Sequence, residues 1–230
     1  ASSVPVSASS AAESTVSSVE ETSSSAVDEN EAAAAQLLND LTGSYQELWP
    51  VILADEYKQT WLDDCTALVG EDNAEAAFEK LSSMVTGDVY GEDAVKAYAN
   101  GGGAYFCGFT NSLATLTFDG ETSTISGTDK DGNVLFSHTY HYIGMEPVRG
   151  LYEFESDDAD SGEFTYFFLA PDTSAETYHI EFRYGSDAEA LSQYDAGEYA
   201  YWLASGISTD CDQTMIDNCI ELFCTENLAG

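Results

Sequence analysis

The sequence has very few basic residues. Only six of its 230 residues are Lys or Arg, against 42 Asp and Glu, which gives a formal net charge of −36 and a pI of about 4.1. Because such a polyanion repels phosphates, we expect neither nucleic acid nor an anionic membrane surface as a partner. Solubility, or adaptation to salt or acid, accounts for most of this charge. The remaining consequence is an attraction for cations.

Signatures of known catalytic sites are also missing. The sequence contains no GxSxG, HExxH, GxGxxG or Walker A loop, and the three glycines at 101–103 lack the Lys and Ser/Thr of a phosphate loop. Acidic residues are so frequent that no carboxylate pair stands out as a catalytic dyad. We therefore expect a binding protein rather than an enzyme.

Aromatic residues are absent before Tyr45, and the first 35 residues also lack Lys and Arg. Such a segment buries too little apolar surface to offset its ordering entropy. We predict a disordered Ser/Ala/Glu-rich tether at 1–35 and one folded domain at 36–230. No apolar run of about 18 residues predicts a membrane span. Since bacterial surface lipoproteins carry similar spacers, we expect an extracytoplasmic protein, secreted or at the cell surface. Any membrane attachment would be through a lipid anchor upstream of residue 1.

The five cysteines form no CxxC pair, so neither a zinc ribbon nor a thioredoxin-type redox pair is indicated. Cys211 and Cys219 are eight residues apart in a predicted helix, roughly 12 Å, which is too far for a disulfide. Cys219 and Cys224 point to different sides of that helix. A disulfide from this helix must therefore reach Cys65 or Cys107; buried free thiols are the alternative.

Hydrophobic periodicity divides the folded part into helices, then strands, then helices. Turns are predicted at Asp119-Gly120 and Asp131-Gly132. The predicted helices cover about 31–42, 44–69, 73–87, 92–100, 187–194 and 210–223, and the predicted strands cover 112–118, 121–127, 133–143, 149–156, 163–170 and 178–185. This order predicts a mainly β protein with accessory helices (α+β). We expect an antiparallel meander of at least six strands, closed or curled, with helices over its mouth or side.

The chain has three histidines and two arginines. His138 and His141 are three residues apart on one strand and should point to opposite faces. His179 and Glu181 are two apart and share a face, and imidazole with carboxylate is half of a zinc site. The same pattern is also typical of a solvated strand face. Arg183 follows on that face.

Both arginines, Arg149 and Arg183, stand in predicted strands, where we expect ion pairs with the abundant carboxylates. The run Asp157, Asp158 and Asp160 lies in a loop between strands. A calcium site is conceivable there, but we interpret the run as a solvated loop.

Four segments, in order, resemble the ZinT (YodA) family of bacterial zinc-binding, lipocalin-like proteins. They are LTGSYQELWPVI from Leu41, VRGLYEFE from Val148, HIEFRYG from His179, and YAYWLASGISTDCDQTMIDNCI from Tyr199. The resemblance covers about residues 41–224. It implies a calycin-type antiparallel barrel with N- and C-terminal helices, exported and active in zinc acquisition or buffering, with a metal-uptake transporter system as a partner.

In the family, zinc is bound by three histidines, and the matching positions here are Ala170, His179 and Glu181. Only one histidine remains. We predict an extracytoplasmic zinc-binding protein with a weakened or altered site, with His179 and Glu181 as ligands and His141 as the third; His138 or a loop carboxylate are alternatives for the third. The alternative function is a ZinT-like scaffold without metal, which binds a small ligand or a protein partner. The aromatic residues expected to line such a contact are Tyr166, Phe167, Phe168, Tyr199, Tyr201 and Trp202.

Overall fold

The computed structural model describes residues 17–171 and 179–230, and all structural statements below refer to these residues. They form eight strands and seven α-helices. The strands are β1 Gly43–Glu47, β2 Thr115–Asp119, β3 Thr124–Thr128, β4 Val134–Met145, β5 Tyr152–Ser156, β6 Tyr166–Leu169, β7 His179–Gly185 and β8 Ala204–Ser208. The helices are α1 Ser17–Asp40, α2 Leu48–Ile52, α3 Lys58–Val69, α4 Glu71–Val85, α5 Glu92–Ala99, α6 Ala188–Leu191 and α7 Gln213–Leu228.

The eight strands close into an antiparallel up-and-down barrel in sequence order, with β1 pairing with both β2 and β8. The alternation of apolar and polar residues sends every second side chain inward, as for Leu116 and Phe118 in β2. Both predicted turns are present. In the first, the carboxylate of Asp119 accepts hydrogen bonds from the backbone N–H groups of Glu121 and Thr122. In the second, Gly132 adopts φ +83°, a conformation that favours glycine. The predicted mainly β barrel with helices at both ends is confirmed.

Strands β2 to β7 match the six predicted strands, whereas β1 and β8 were not predicted. The β1 residues were assigned to a helix, which is wrong because their backbone groups pair with β2 and β8 instead. In β8 the alternation is hidden by small residues. A Cβ on Gly206 would lie 3.1 Å from the Ile180 side chain and 3.4 Å from the backbone oxygen of Gln46. Glycine here lets three strands pack closely.

The barrel interior is filled with side chains, mainly aromatic. Phe167 points into the barrel beside Phe182 and Tyr184, whereas Phe168 points to the other face of β6; both, like Trp202, have no exposed surface, and Tyr199 is also buried. Tyr201 stacks on Tyr98 with ring centroids 3.6 Å apart. These aromatics, which the alternative function assigns to a ligand or partner contact, therefore pack within the folded domain and stabilise it.

A second core lies outside the barrel wall. Helices α2, α3, α4 and α7 surround the buried Trp61 and Ile220, and this cluster reaches the barrel through Ile207 of β8. On another side, α1 covers β2 and β4, using Leu37 and Leu38. The outer face of β7 and β8 is thereby placed under a layer of helices.

Helix α1 begins at Ser17, well before the predicted start near Glu31, and Ala34 within it is fully buried against the barrel core. The first 16 residues of the predicted tether lie outside the described residues, and the domain boundary at 35/36 stays a prediction. Among the described helices, none combines the length and apolarity needed to span a bilayer.

Candidate functional site

Strand β7 carries the two residues that were predicted to share a face. His179 and Glu181 are both half-buried, while Ile180 and Phe182 between and beyond them are buried in the barrel core. Because side chains alternate along a strand, the imidazole and the carboxylate point away from the barrel interior, toward the helical layer. In register they stand opposite Ile207 and Ser205 of β8.

Both side chains line a small cavity between β7, α2 and α7. Its volume is about 30 Å³, enough for about one or two water molecules or a single ion. The lining residues are Leu48, Trp49, His179, Glu181, Cys219, Leu222, Phe223 and Glu226. Cys219 and Glu226 are seven residues apart on α7 and so share one helix face. One imidazole, two carboxylates and one thiol therefore border the same cavity, and all three types of group are zinc ligands.

The electrostatics of the cavity are negative. Burial above all, together with the charges of Glu181 and Glu226, raises the pKa of the Cys219 thiol from its usual 9 to about 12. At neutral pH this thiol is therefore protonated. A cation in the cavity would be attracted by both carboxylates and would favour the thiolate over the thiol.

The donors fit zinc by chemical type, but they are not assembled as a coordination shell. Within 17–171 and 179–230, no three His, Cys, Asp or Glu side chains are close enough together to hold one metal ion. The cavity thus offers suitable donors, which would have to draw closer around a bound ion.

Ala170 lies directly across from Glu181. Ala170 is the residue after β6, and its backbone N–H donates to the carbonyl oxygen of Glu181 at 3.0 Å, which continues the β6–β7 pairing. Both line a second, larger cavity of about 310 Å³, together with Arg149, Leu151, Pro171 and Leu203. The three positions that the ZinT resemblance matches to zinc ligands are therefore adjacent in space, but the alanine has no donor atom.

His141, the predicted third ligand, is elsewhere on the barrel. Its Nδ1 lies 2.7 Å from Oδ1 of Asp157, and its Nε2 lies 3.7 Å from a carboxylate oxygen of Glu155. Strands β5 and β6 separate β4 from β7, so the structure does not bring His141 to His179. Alternation along β4 correctly predicted that His141 and His138 point to opposite faces, but it did not predict which strands lie next to β4 in the barrel.

His138 faces the opposite side of β4 from His141, as predicted. Its Nδ1 lies 2.6 Å from a carboxylate oxygen of Asp158, and its ring stacks on Phe136 at 6.0 Å. Asp157 also accepts a hydrogen bond from Thr139. The acidic loop thus interacts with β4 through both histidines and this threonine.

Within residues 17–171 and 179–230, the contacts of both arginines include aromatic rings, and those of Arg183 include backbone carbonyls, where ion pairs with carboxylates were predicted. Arg183 is fully buried and donates to the backbone carbonyls of Leu191, Gln193 and Tyr199. The ring of Tyr194 lies between both guanidinium groups, 4.3 Å from Arg183 and 4.8 Å from Arg149. Cation–π contacts and carbonyls replace carboxylates here.

Two of the four residues with donor groups at the cavity were not predicted as site residues. Cys219 was considered as a disulfide partner or a buried free thiol, and Glu226 lies beyond the predicted end of its helix at 223. Only the spacing of seven residues between them could have linked them to one face. Nothing in the sequence indicates that this face packs against β7.

This barrel and its helical layer are similar to a solved structure, the Zn(II)-bound ZinT-like domain of AdcA from Streptococcus pneumoniae. The TM-score is 0.50 with 16% sequence identity, and the match covers 80% of this chain and 89% of that chain. The fold is ZinT-like. The Zn(II)-bound structure of AdcA from the same organism matches with a TM-score of 0.46 and 15% identity, over 84% of this chain and 35% of that chain. No protein-family model and no curated protein matches the sequence.

Proposed function

We propose that this ZinT-like barrel is a non-catalytic protein that binds a divalent cation, zinc in particular, outside the cytoplasm. The observation that carries the proposal is the cavity of about 30 Å³ lined by His179, Glu181, Cys219 and Glu226. The zinc bound to the similar AdcA domain supports the choice of metal. His179 and Glu181 would be the primary ligands, from one strand face.

The site is expected to be weaker than one with three histidines. Ala170 stands where the family has a histidine, and removal of one neutral ligand weakens zinc binding strongly. Helix α7 offers Glu226, and Cys219 once its proton is lost, as replacements from across the cavity. Since metal ligands must be deprotonated, binding would release protons and tighten as the pH rises.

The acidic surface would raise the concentration of cations near the protein but would not select zinc over other cations. A net charge of −36 raises the local concentration of any divalent cation. Selectivity for zinc would come from the imidazole nitrogen, because calcium and magnesium prefer oxygen ligands only. By the family resemblance, the bound metal would be passed to an uptake transporter. The Ser-rich spacer, of the kind found in bacterial surface lipoproteins, would connect the domain to a lipid anchor.

Isothermal titration with zinc, after treatment with a chelator, tests the proposal. We expect saturable binding of one ion with a Kd of about 10 µM or tighter. His179→Ala should weaken it at least about tenfold, and Glu181→Gln should do the same. His141→Ala is the matched control, because that imidazole lies on β4 away from the cavity, and it should leave the affinity unchanged. No saturable binding by the wild-type protein would end the proposal.

A second function is favoured by a separate cavity. It has a volume of about 320 Å³, at the lower end of the range for small-molecule sites. Its walls include the apolar side chains of Trp49, Leu53, Val85 and Phe106. In this alternative the barrel is a scaffold without metal that takes a small apolar ligand beside α2. An apolar probe that quenches or shifts the tryptophan fluorescence of the wild-type protein would support this alternative. The effect should be lost in Val85→Trp, because the larger side chain fills the cavity.

A further inference from the structure

Two of the five cysteines touch each other in the helical layer. Cys65 on α3 and Cys224 on α7 are fully buried, and their Sγ atoms lie 4.0 Å apart although the residues are 159 positions apart in sequence. Helices α3 and α7 pack side by side in the cluster around Trp61. The contact is therefore set by the packing of two helices rather than by chance proximity of loops.

The other three cysteines have no such partner among the described residues. The Sγ atom of Cys107 contacts the backbone oxygen of Tyr105 at 3.9 Å, and Cys211 is half-exposed near the start of α7. Cys219 borders the cavity of His179. Of the pairings that the helix spacing allows, the sulfur contact selects Cys65 with Cys224.

We propose that Cys65 and Cys224 form a disulfide that links α3 to α7 when the chain folds under oxidising conditions. The bond requires an S–S distance of about 2.05 Å, so each sulfur moves by about 1 Å, which side-chain rotation can supply. The proposal is independent of metal binding. It matches the proposed location of the protein, since disulfides persist outside the reducing cytoplasm.

The oxidant is a low-molecular-weight disulfide, such as oxidised glutathione, or a protein disulfide of the same class. One cysteine thiolate attacks that disulfide and expels one thiolate, which leaves a mixed disulfide. The second cysteine thiolate then attacks the sulfur of the first and expels the other half of the oxidant. Two protons and two electrons leave the cysteines, and the oxidant becomes two thiols.

The timing of this reaction follows from burial. In the folded chain, burial raises the pKa of both Cys65 and Cys224, so neither thiol is readily ionised or reached by an oxidant. The exchange therefore takes place before α7 packs onto α3, and the packing then holds the bond in place. The disulfide fixes α7, which also carries Cys219 and Glu226, against the helical layer.

Thiol counting on the intact chain tests the proposal. The chain is refolded with oxidised glutathione, alkylated in denaturant and mapped by mass spectrometry. We expect two of the five thiols to be lost and the peptides of Cys65 and Cys224 to be joined. Alkylation of all five thiols, or a bond between any other two cysteines, would overturn the proposal.

Thermal melting supplies a second readout. Closing a loop of this length should raise the melting temperature of the oxidised wild-type chain by about 5–10 °C over the reduced chain. Cys65→Ala should abolish that difference, while Cys211→Ala, at a half-exposed position, should retain it. A difference that persists in Cys65→Ala would contradict the assignment.

Discussion

Ala170, the residue after β6, and Glu181 of β7 are joined by a backbone hydrogen bond of 3.0 Å, in which the N–H of Ala170 donates. His179 follows on the same face of β7, one alternation away. The backbone thus keeps three neighbouring positions that could hold donors, while the sequence fills only two of them. Under the proposed function, one substitution would add a third donor beside these two.

Ala170→His should strengthen zinc binding. The new imidazole would stand beside Glu181, and the adjoining cavity of about 310 Å³ provides room for it. A third ligand should raise the affinity by about 10- to 100-fold, which titration against a chromophoric chelator measures. Ala170→Leu is the control, because it adds similar volume without a donor. An Ala170→His protein with unchanged affinity would mean that the three positions do not share an ion.

Glu226→Gln tests whether α7 contributes to the same site. Its carboxylate borders the cavity of His179 and Glu181, so its loss should lower zinc affinity by roughly tenfold, about 1.4 kcal/mol. Glu221→Gln removes the same charge from a position of α7 that is also exposed but does not line this cavity, and it should have little effect. Equal losses in both variants would indicate only a general effect of surface charge.

Arg183 should be essential for stability rather than for binding. Its buried guanidinium donates to three backbone carbonyls around the end of α6. Arg183→Met would leave these oxygens without donors and should lower the free energy of unfolding by about 3–5 kcal/mol in urea titrations. Arg183→Lys should recover only part of this, because an ammonium group cannot reach all three. A fully stable Arg183→Met protein would contradict the role assigned to this side chain.

The protein should lose stability in alkali, partly through Tyr184. Burial raises the pKa of this phenol above its usual 10.0, while hydrogen bonds with Thr110 oppose the shift in part. Below about pH 10 the raised pKa does not change the free energy of unfolding, because the phenol is neutral in both states. Above it, Tyr184 ionises in the unfolded chain but not in the folded chain, so the free energy of unfolding falls. Urea titrations between about pH 8 and 11 measure that slope. Tyr184→Phe should make the slope shallower, and an unchanged slope would exclude this contribution.

Much of the barrel could be predicted because its strands are amphipathic. In β2 to β7 the apolar residues alternate, and Asp-Gly turns mark the hairpins. Across β1 and α2, Tyr45, Leu48 and Trp49 have the spacing of a helical stripe, although Tyr45 lies in a strand that pairs with β2 and β8. Strand β8 was not predicted because Gly206 interrupts its alternation, and close packing of the neighbouring strands excludes a side chain at that position.

The residues of the candidate site that lie on one strand could be predicted from the sequence, but the residues that other strands and helices bring to it could not. Alternation alone placed His179 and Glu181 on one face. The choice of His141 failed because a face does not determine which strands are neighbours in a closed barrel. Glu226 could not be found, since its approach to β7 depends on how α7 packs. The contacts of Arg183 were not predicted for a similar reason, because its guanidinium group meets the ring of Tyr194 and three backbone carbonyls.

Anomalous diffraction at the zinc edge from crystals grown with zinc tests the central claim most directly. The account predicts one strong peak within coordination distance of an imidazole nitrogen of His179 and a carboxylate oxygen of Glu181, about 2.0–2.2 Å from each. A peak only at His141 and Asp157, or none at saturating zinc, would contradict it.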